Sequence, residues 1–283
     1  MPYVGDYFVD AITPLDVTRW RDAQQGAPST VNGRLRVLRT LLADATQDLG
    51  LPRDPAGRVR ALREKRPEED PNVLTAKELG EVLLVMRETE PDWYPLFLTI
   101  GLTGMRFGEA TALKWSDVDE KARLVHVRRS QWKGTVDETK TGSRRTVPLP
   151  EVLAHALRKH RHELLARQAP GLEQGWVFPN RVGRLLYTAS LQKPLKRALG
   201  RAGITRRQTT HGFRRTFNNL VRQFTTGEVV RAMTGHVTEA MTLHYSHVEL
   251  GEKHAAVDRV LATVAGQVEG WVEGLPDGTE TAG

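Results

Sequence analysis

RLVHVRRSQWKGTVDETKTGSRRTVPL, residues 123–149, is where the chain changes its period. Arg123–Arg129 and Arg144–Leu149 each alternate polar and apolar side chains, the signature of half-buried strands. Lys133-Gly134 and Lys140-Thr-Gly-Ser143 lie between them and read as turns. The stretch therefore predicts a small antiparallel sheet.

Outward from it, on both sides, the pattern is helical. Upstream, Thr75-x-x-Glu78 is a capping box that opens an amphipathic helix through Arg87. An apolar helix is expected over Trp93–Thr103, ended by Gly104, and another over Gly108–Lys114. Downstream, helices are expected at Glu151–Gln168, Thr188–Arg201, His211–Phe224, Glu228–Met233, Glu239–Ser246 and Leu250–Val264. Ahead of all this, Thr13-Pro14-Leu15-Asp16 opens a short helix. Ser29 or Thr30 opens a longer one whose apolar positions are Val31, Leu35, Leu38, Leu41, Leu42, Ala45 and Leu49, stopped by Gly50 and Pro52.

Arg66-Pro-Glu-Glu-Asp-Pro-Asn72 is polar, carries two prolines and reads as a linker. The expected fold class is mainly α (α+β): a small helical N-terminal domain (1–66), a linker (67–73), a mostly helical domain with a three-stranded antiparallel sheet (74–264), and an acidic, Gly-rich flexible tail (265–283).

Composition narrows the chemistry. The 283 residues contain no cysteine, which excludes disulfides, thiolate catalysis and cysteine-bound zinc. No apolar run approaches the roughly 20 residues of a membrane span, and the N-terminus lacks the basic-then-apolar pattern of a secretory signal, so a cytoplasmic protein is expected. His155, His160 and His162 sit beside Arg158, Lys159 and Arg161 and read as a solvated basic helix face rather than a metal site. The net charge of +7 suits a nucleic-acid partner, and arginine, whose planar fork matches phosphate oxygens, recurs in runs such as RLRVLR and FRR.

Three further segments carry polar residues in apolar or glycine-bounded settings. Thr103-Gly-Met-Arg-Phe-Gly-Glu109 places Arg106 between two glycines, which allow close backbone approach to a ligand, and puts Glu109 within helical reach of it. A structural ion pair fits that segment equally well. His211-Gly-Phe-Arg-Arg-Thr216 sets His211 and Arg214 on one helix face, with Phe213 and Phe217 turned inward and Arg215 turned away. Met233-Thr-Gly-His-Val-Thr-Glu-Ala-Met-Thr-Leu-His-Tyr245 places His236 after a glycine and Tyr245 nine residues on.

Taken together, Arg106, Lys140, His211, Arg214, His236 and Tyr245 stand in the order and spacing of the tyrosine recombinase (phage integrase) family, which the chain resembles over about 74–250. The resemblance implies a DNA strand transferase that is independent of metal and ATP. Tyr245 would attack a DNA phosphate to give a 3′-phosphotyrosine. Arg106, Arg214 and His236 would brace the phosphate, and the two guanidiniums would take the part a magnesium plays elsewhere. His211 would accept the phenol proton or hold the phosphate. Lys140 would protonate the leaving 5′-oxygen, its pKa lowered by Arg144 and Arg145, and Glu109 would orient Arg106. No cofactor is implied. Double-stranded DNA, a homotetramer on it and accessory DNA-bending proteins are the implied partners, with strand exchange through a Holliday junction and no membrane.

Against the family pattern, residues 13–65 resemble only the later helices of the usual N-terminal DNA-binding domain. Val257, Val260, Leu261 and Val264 suit docking on a neighbouring protomer and suit the protomer's own core equally. A type IB topoisomerase, a non-catalytic DNA-binding relative and a basic helical interaction protein are the competing interpretations.

Overall fold

The structure, a computed structural model, describes residues 7–64, 72–138, 145–234 and 250–267. The chain divides into two compact units, residues 1–69 and 70–283.

In the first unit, α1 (Pro14–Asp22) opens as expected. Thr13 caps it and Asp16 closes a capping box, with Pro14 in the first turn. Next comes α2 (Pro28–Asp48), which starts earlier than the sequence suggests. Pro28 is its first residue, so Ser29 and Thr30 lie inside the first turn instead of capping it. Pro28 brings a preset backbone angle and no N–H to orphan, and so takes over the start. Val17, Trp20, Leu35, Leu38, Leu42, Ala56 and Val59 form the core of this unit. Leu41 and Leu49, counted toward the buried stripe from their spacing, are exposed.

The second unit is built on α3 (Ala76–Thr89), α4 (Tyr94–Thr103) and α8 (Thr210–Arg222). The capping box at α3 forms both ways: Thr75 Oγ1 accepts from the Glu78 N–H at 3.1 Å, and Glu78 accepts from the Thr75 N–H at 2.8 Å. Every residue of α4 from Pro95 to Thr103 is buried, which explains its unbroken apolar character. The helix after it, α5 (Phe107–Thr111), is shorter than expected and passes into a 3-10 turn at Trp115–Asp117.

The period switch yields two pieces of sheet. Strands β1 (Val118–Asp119), β2 (Leu124–Val127) and β5 (Arg145–Pro148) make the expected three-stranded antiparallel sheet, in the order β1-β2-β5. Val125 is opposite both Val118 and Val147, which places the apolar phase against the core. The intervening residues form a separate hairpin of β3 (Arg129–Trp132) and β4 (Thr135–Glu138). The remaining described elements of this unit are α6 (Glu151–Ala166), α7 (Thr188–Arg201), α9 (Gly227–Thr234) and α10 (Leu250–Ala265). The helix expected at Glu239–Ser246 lies outside the described residues. Val257, Val260 and Val264 of α10 are buried within the core of this same unit, so that apolar face is covered by the chain itself. Among the described residues no helix is long and apolar enough to cross a membrane.

The histidine cluster of α6 is not uniformly solvated. His160 is buried, its Nε2 donates to the Val177 carbonyl at 2.8 Å, and its ring lies 5.5 Å from Phe178. Burial, opposed by the Val177 hydrogen bond, holds its pKa below the ordinary histidine value. The unfolded chain then takes up the proton first, so this residue's contribution is complete above about pH 6.5 and declines below it. Burial also lowers the pKa of His254, with Arg123 adding to the effect, and its contribution follows the same direction. The melting temperature of the wild type should therefore fall between about pH 7 and 5.5, and His160→Leu should show a clearly shallower fall. An unchanged slope in the variant would remove His160 from the account.

Candidate active site

The site begins where α4 ends. Gly104 terminates that helix in a left-handed conformation, φ +64°, and a Cβ there would overlap the Phe217 ring of α8. Gly108, in α5, backs onto the Gln131 carbonyl of β3, where a Cβ would also overlap. The two glycines that bracket Arg106 thus serve close packing inside the protein, rather than approach to a ligand as the sequence suggests. Between them, Arg106 is the N-cap residue of α5, and its backbone N–H donates to Glu109 at 2.7 Å.

Glu109 is the hub. It is 3% exposed, and three guanidiniums surround it. Arg106 Nη1 donates to Oε1 at 2.9 Å. Arg145, from the first residue of β5, donates through both nitrogens, at 3.0 Å to Oε1 and 2.6 Å to Oε2. Arg214 Nη1 lies 3.9 Å from Oε2. Burial is the largest single influence on Glu109 and acts to raise its pKa. The Arg145 hydrogen bonds and charge, with those of Arg106, outweigh it and hold the carboxyl at about 2.

Arg214 reaches this cluster from α8. Thr209 caps the helix through the Gly212 N–H, and Phe213 and Phe217 are buried as expected. Arg214 is itself only 1% exposed, and its Nη1 donates to the Gly104 carbonyl at 2.5 Å. Burial first, then repulsion from Arg106 and Arg145 only partly offset by Glu109, brings its pKa down to about 9. It remains cationic at neutral pH, at a cost to folding. One carboxylate among three guanidiniums leaves a formal surplus of positive charge in a largely dry setting, where an anion is favoured strongly. Arg106, whose side chain is 48% exposed, is the cation of the three open to solvent.

The structure therefore brings Arg106, Glu109 and Arg214 together. His211, one turn ahead of Arg214 on α8, is exposed. Lys140, His236 and Tyr245 lie outside the described residues, although the elements that lead to them are placed. Strand β4 ends at Glu138 and α9 at Thr234, each two residues short of Lys140 and His236. Arg145 joins these neighbourhoods, because its Nε also donates to the Met233 carbonyl of α9 at 2.8 Å.

Arg145 is the residue whose part the sequence did not reveal. Beside the influence expected of it on Lys140, which lies outside the described residues, its guanidinium pairs with Glu109. The available signal was its phase: it is two residues before the fully buried Val147 on one strand, so it faces inward and needs a partner. Among the described residues no three side chains of the types that hold metals converge.

Known proteins resemble this chain in sequence, and others in fold. The chain is 30% identical over 143 residues to a tyrosine recombinase XerC-like protein of Caldanaerobacter subterraneus, covering 43% of this chain and 36% of that one. It is 27% identical over 193 residues to tyrosine recombinase XerC of Chlamydia trachomatis, covering 66% and 56%. The chain thus spans little more than half of such relatives at most. Among solved structures, the Tn1549 transposon integrase in complex with transposon right end DNA superposes with a TM-score of 0.69 at 20% identity, over 91% of this chain and 88% of that one. A lambda integrase dimer bound to a COC′ core site superposes with a TM-score of 0.64 at 16% identity, over 88% and 87%. The family model described as the phage integrase family matches residues 72–252, a span that takes in α3, the Glu109 cluster and the segment beyond α9, and the chain belongs to that family.

Proposed function

We propose that this protein is a site-specific DNA recombinase that cuts and rejoins duplex DNA through a 3′-phosphotyrosine on Tyr245. The observation that carries this reading is the Glu109 cluster: a positive, water-poor site with one open guanidinium suits a phosphodiester, whose transition state gathers charge on two non-bridging oxygens. Family membership and the DNA-bound integrases of the same fold support it.

In this scheme the Tyr245 oxygen attacks phosphorus and the DNA 5′-oxygen leaves. Arg106 meets one non-bridging oxygen from the solvent side. Arg214 exchanges the Gly104 carbonyl for the other, and His236 adds a hydrogen bond. A phenol has a pKa of about 10 and must lose its proton as it attacks. His211 takes that proton or fixes the phosphate. Lys140 delivers one to the 5′-oxygen. The phosphoester is exchanged and not hydrolysed, so resealing needs neither ATP nor, with Arg106 and Arg214 on the phosphate, a metal ion. Glu109 holds Arg106 in place. Residues 1–66 act as a partial DNA-binding domain joined by a linker at 67–73 to the catalytic domain, 74–264. Four protomers assemble on DNA and exchange strands through a Holliday junction, with accessory bending proteins where the site requires them.

The test needs no knowledge of the target site. Supercoiled plasmid incubated with the protein in EDTA should relax, and protein should remain on the DNA through detergent. Tyr245→Phe should do neither. Relaxation that persists in that variant would overturn the assignment of the nucleophile.

A further inference from the structure

The β3–β4 hairpin ends in a tip whose composition the packing of the protein does not require. Trp132 and Thr135 are its last paired residues, and Lys133 and Gly134 form a two-residue loop with φ values of +49° and +87°. Positive angles at both positions are those of the hairpin turn that follows the natural twist of the strands. Lys133 adopts there a conformation that glycine or asparagine would accept more readily.

The tip is fixed from below. Gln131 is 7% exposed, and its amide nitrogen donates to Thr111 Oγ1 at 3.0 Å and to the Leu186 carbonyl at 2.7 Å. Its amide oxygen accepts from the Gly134 N–H at 3.1 Å. Thr111 belongs to α5, so the hairpin is fastened to the short helix that carries Glu109. Trp132, on this rigid mount, is 75% exposed, with the Lys133 ammonium 5.9 Å from its ring centroid. Tyr187, also exposed, lies beside Gly134, where an added Cβ would be 3.0 Å from its hydroxyl.

We propose that the Trp132–Lys133 tip is a DNA contact outside the cleavage chemistry, Trp132 packing on the sugars and base edges of the flanking duplex and Lys133 pairing with a phosphate. The inference rests on the recombinase reading and specifies where the duplex runs. From Lys133 to Lys140 is seven residues, at most about 25 Å of chain. If Lys140 serves the scissile phosphate, the tip falls within about seven base pairs of it at 3.4 Å per pair. A large aromatic held ready loses little conformational freedom on binding, and the sugars and groove edges of any duplex offer it an apolar surface. The neighbouring ammonium and the net charge of +7 favour a polyanion over a protein partner.

The test is equilibrium binding of the full chain to a labelled mixed-sequence duplex across a series of salt concentrations. Trp132→Ala should weaken binding about tenfold with an unchanged salt slope, since an apolar contact with sugars and base edges releases no counterion. Lys133→Ala should lower the slope of log affinity against log salt by about 0.9. Trp132→Tyr should recover most of the affinity, and Val182→Ala, an exposed apolar residue elsewhere, should change nothing. Wild type and Trp132→Ala binding equally would overturn the proposal while leaving the recombinase reading intact. A defect of Trp132→Ala confined to self-association would mark a protein interface and would also overturn it. A wild type that binds no duplex at all would end both.

Discussion

Glu109→Gln should strongly destabilise the second unit, lowering its unfolding free energy by about 3–5 kcal/mol, the usual effect of removing one partner from a buried ion pair. The carboxylate is 3% exposed and is the one anion within reach of Arg106, Arg145 and Arg214 among the described groups. Its neutral amide would leave three guanidiniums facing each other and could accept only part of the four hydrogen bonds that Glu109 accepts. Since domains are stable by only about 5–15 kcal/mol, the variant should unfold at a markedly lower urea midpoint. The same carboxyl, held at about 2, makes an acid prediction. Its folded pKa lies below the unfolded one, so its contribution is complete above about pH 4.5 and is lost as pH falls toward 2. Wild type should lose stability in that window and Glu109→Gln should lose less. Equal urea midpoints for the two proteins at neutral pH would contradict the hub assignment.

Arg106→Ala should separate stability from activity. Its side chain is half exposed, so its ion pair with Glu109 is worth at most about 1 kcal/mol, and Arg145 still satisfies the carboxylate. The urea midpoint should hardly move. Cleavage, followed as covalent protein–DNA complex in a single turnover, should fall by about 10²–10³ or more, because a donor aimed at the developing charge is lost. Arg106→Lys should remain strongly impaired, since an ammonium replaces the charge but not the planar fork. Full cleavage by Arg106→Ala would remove that residue from the phosphate clamp.

Much of this was legible in local sequence, and the misses share one cause. Thr75 and Glu78, Arg106 and Glu109, and the alternating strands β2 and β5 depend on neighbours two or three residues away, and they appear as read. Arg145 meets Glu109 across 36 residues, and Arg214 meets Gly104 across 110. No periodicity encodes such pairings. His160 belonged to a basic run by composition, yet its helix turns it onto the Val177 carbonyl. Gly104 and Gly108 looked like ligand-facing glycines because what fills the space beside them, Phe217 and Gln131, is remote in sequence. The hairpin of β3 and β4 was hidden by Arg128 and Arg129, which blur the alternation on its incoming side. Of the six positions that resemble the family's chemistry, Lys140, His236 and Tyr245 fall outside the described residues, so their roles rest on the resemblance and on the experiments above.

Arg145 touches Glu109 with one end of its guanidinium and the Met233 carbonyl with its Nε. Anyone assembling hybrids from two members of this family would want to cut between modules, and this residue defines what a module is. A crossover placed between residues 109 and 145, or between 145 and 233, joins parts that each arrive with half of a shared fastening. Crossovers placed before Gly104 or after Thr234 keep that fastening whole, and hybrids divided there should tolerate sequence divergence that internally divided ones do not.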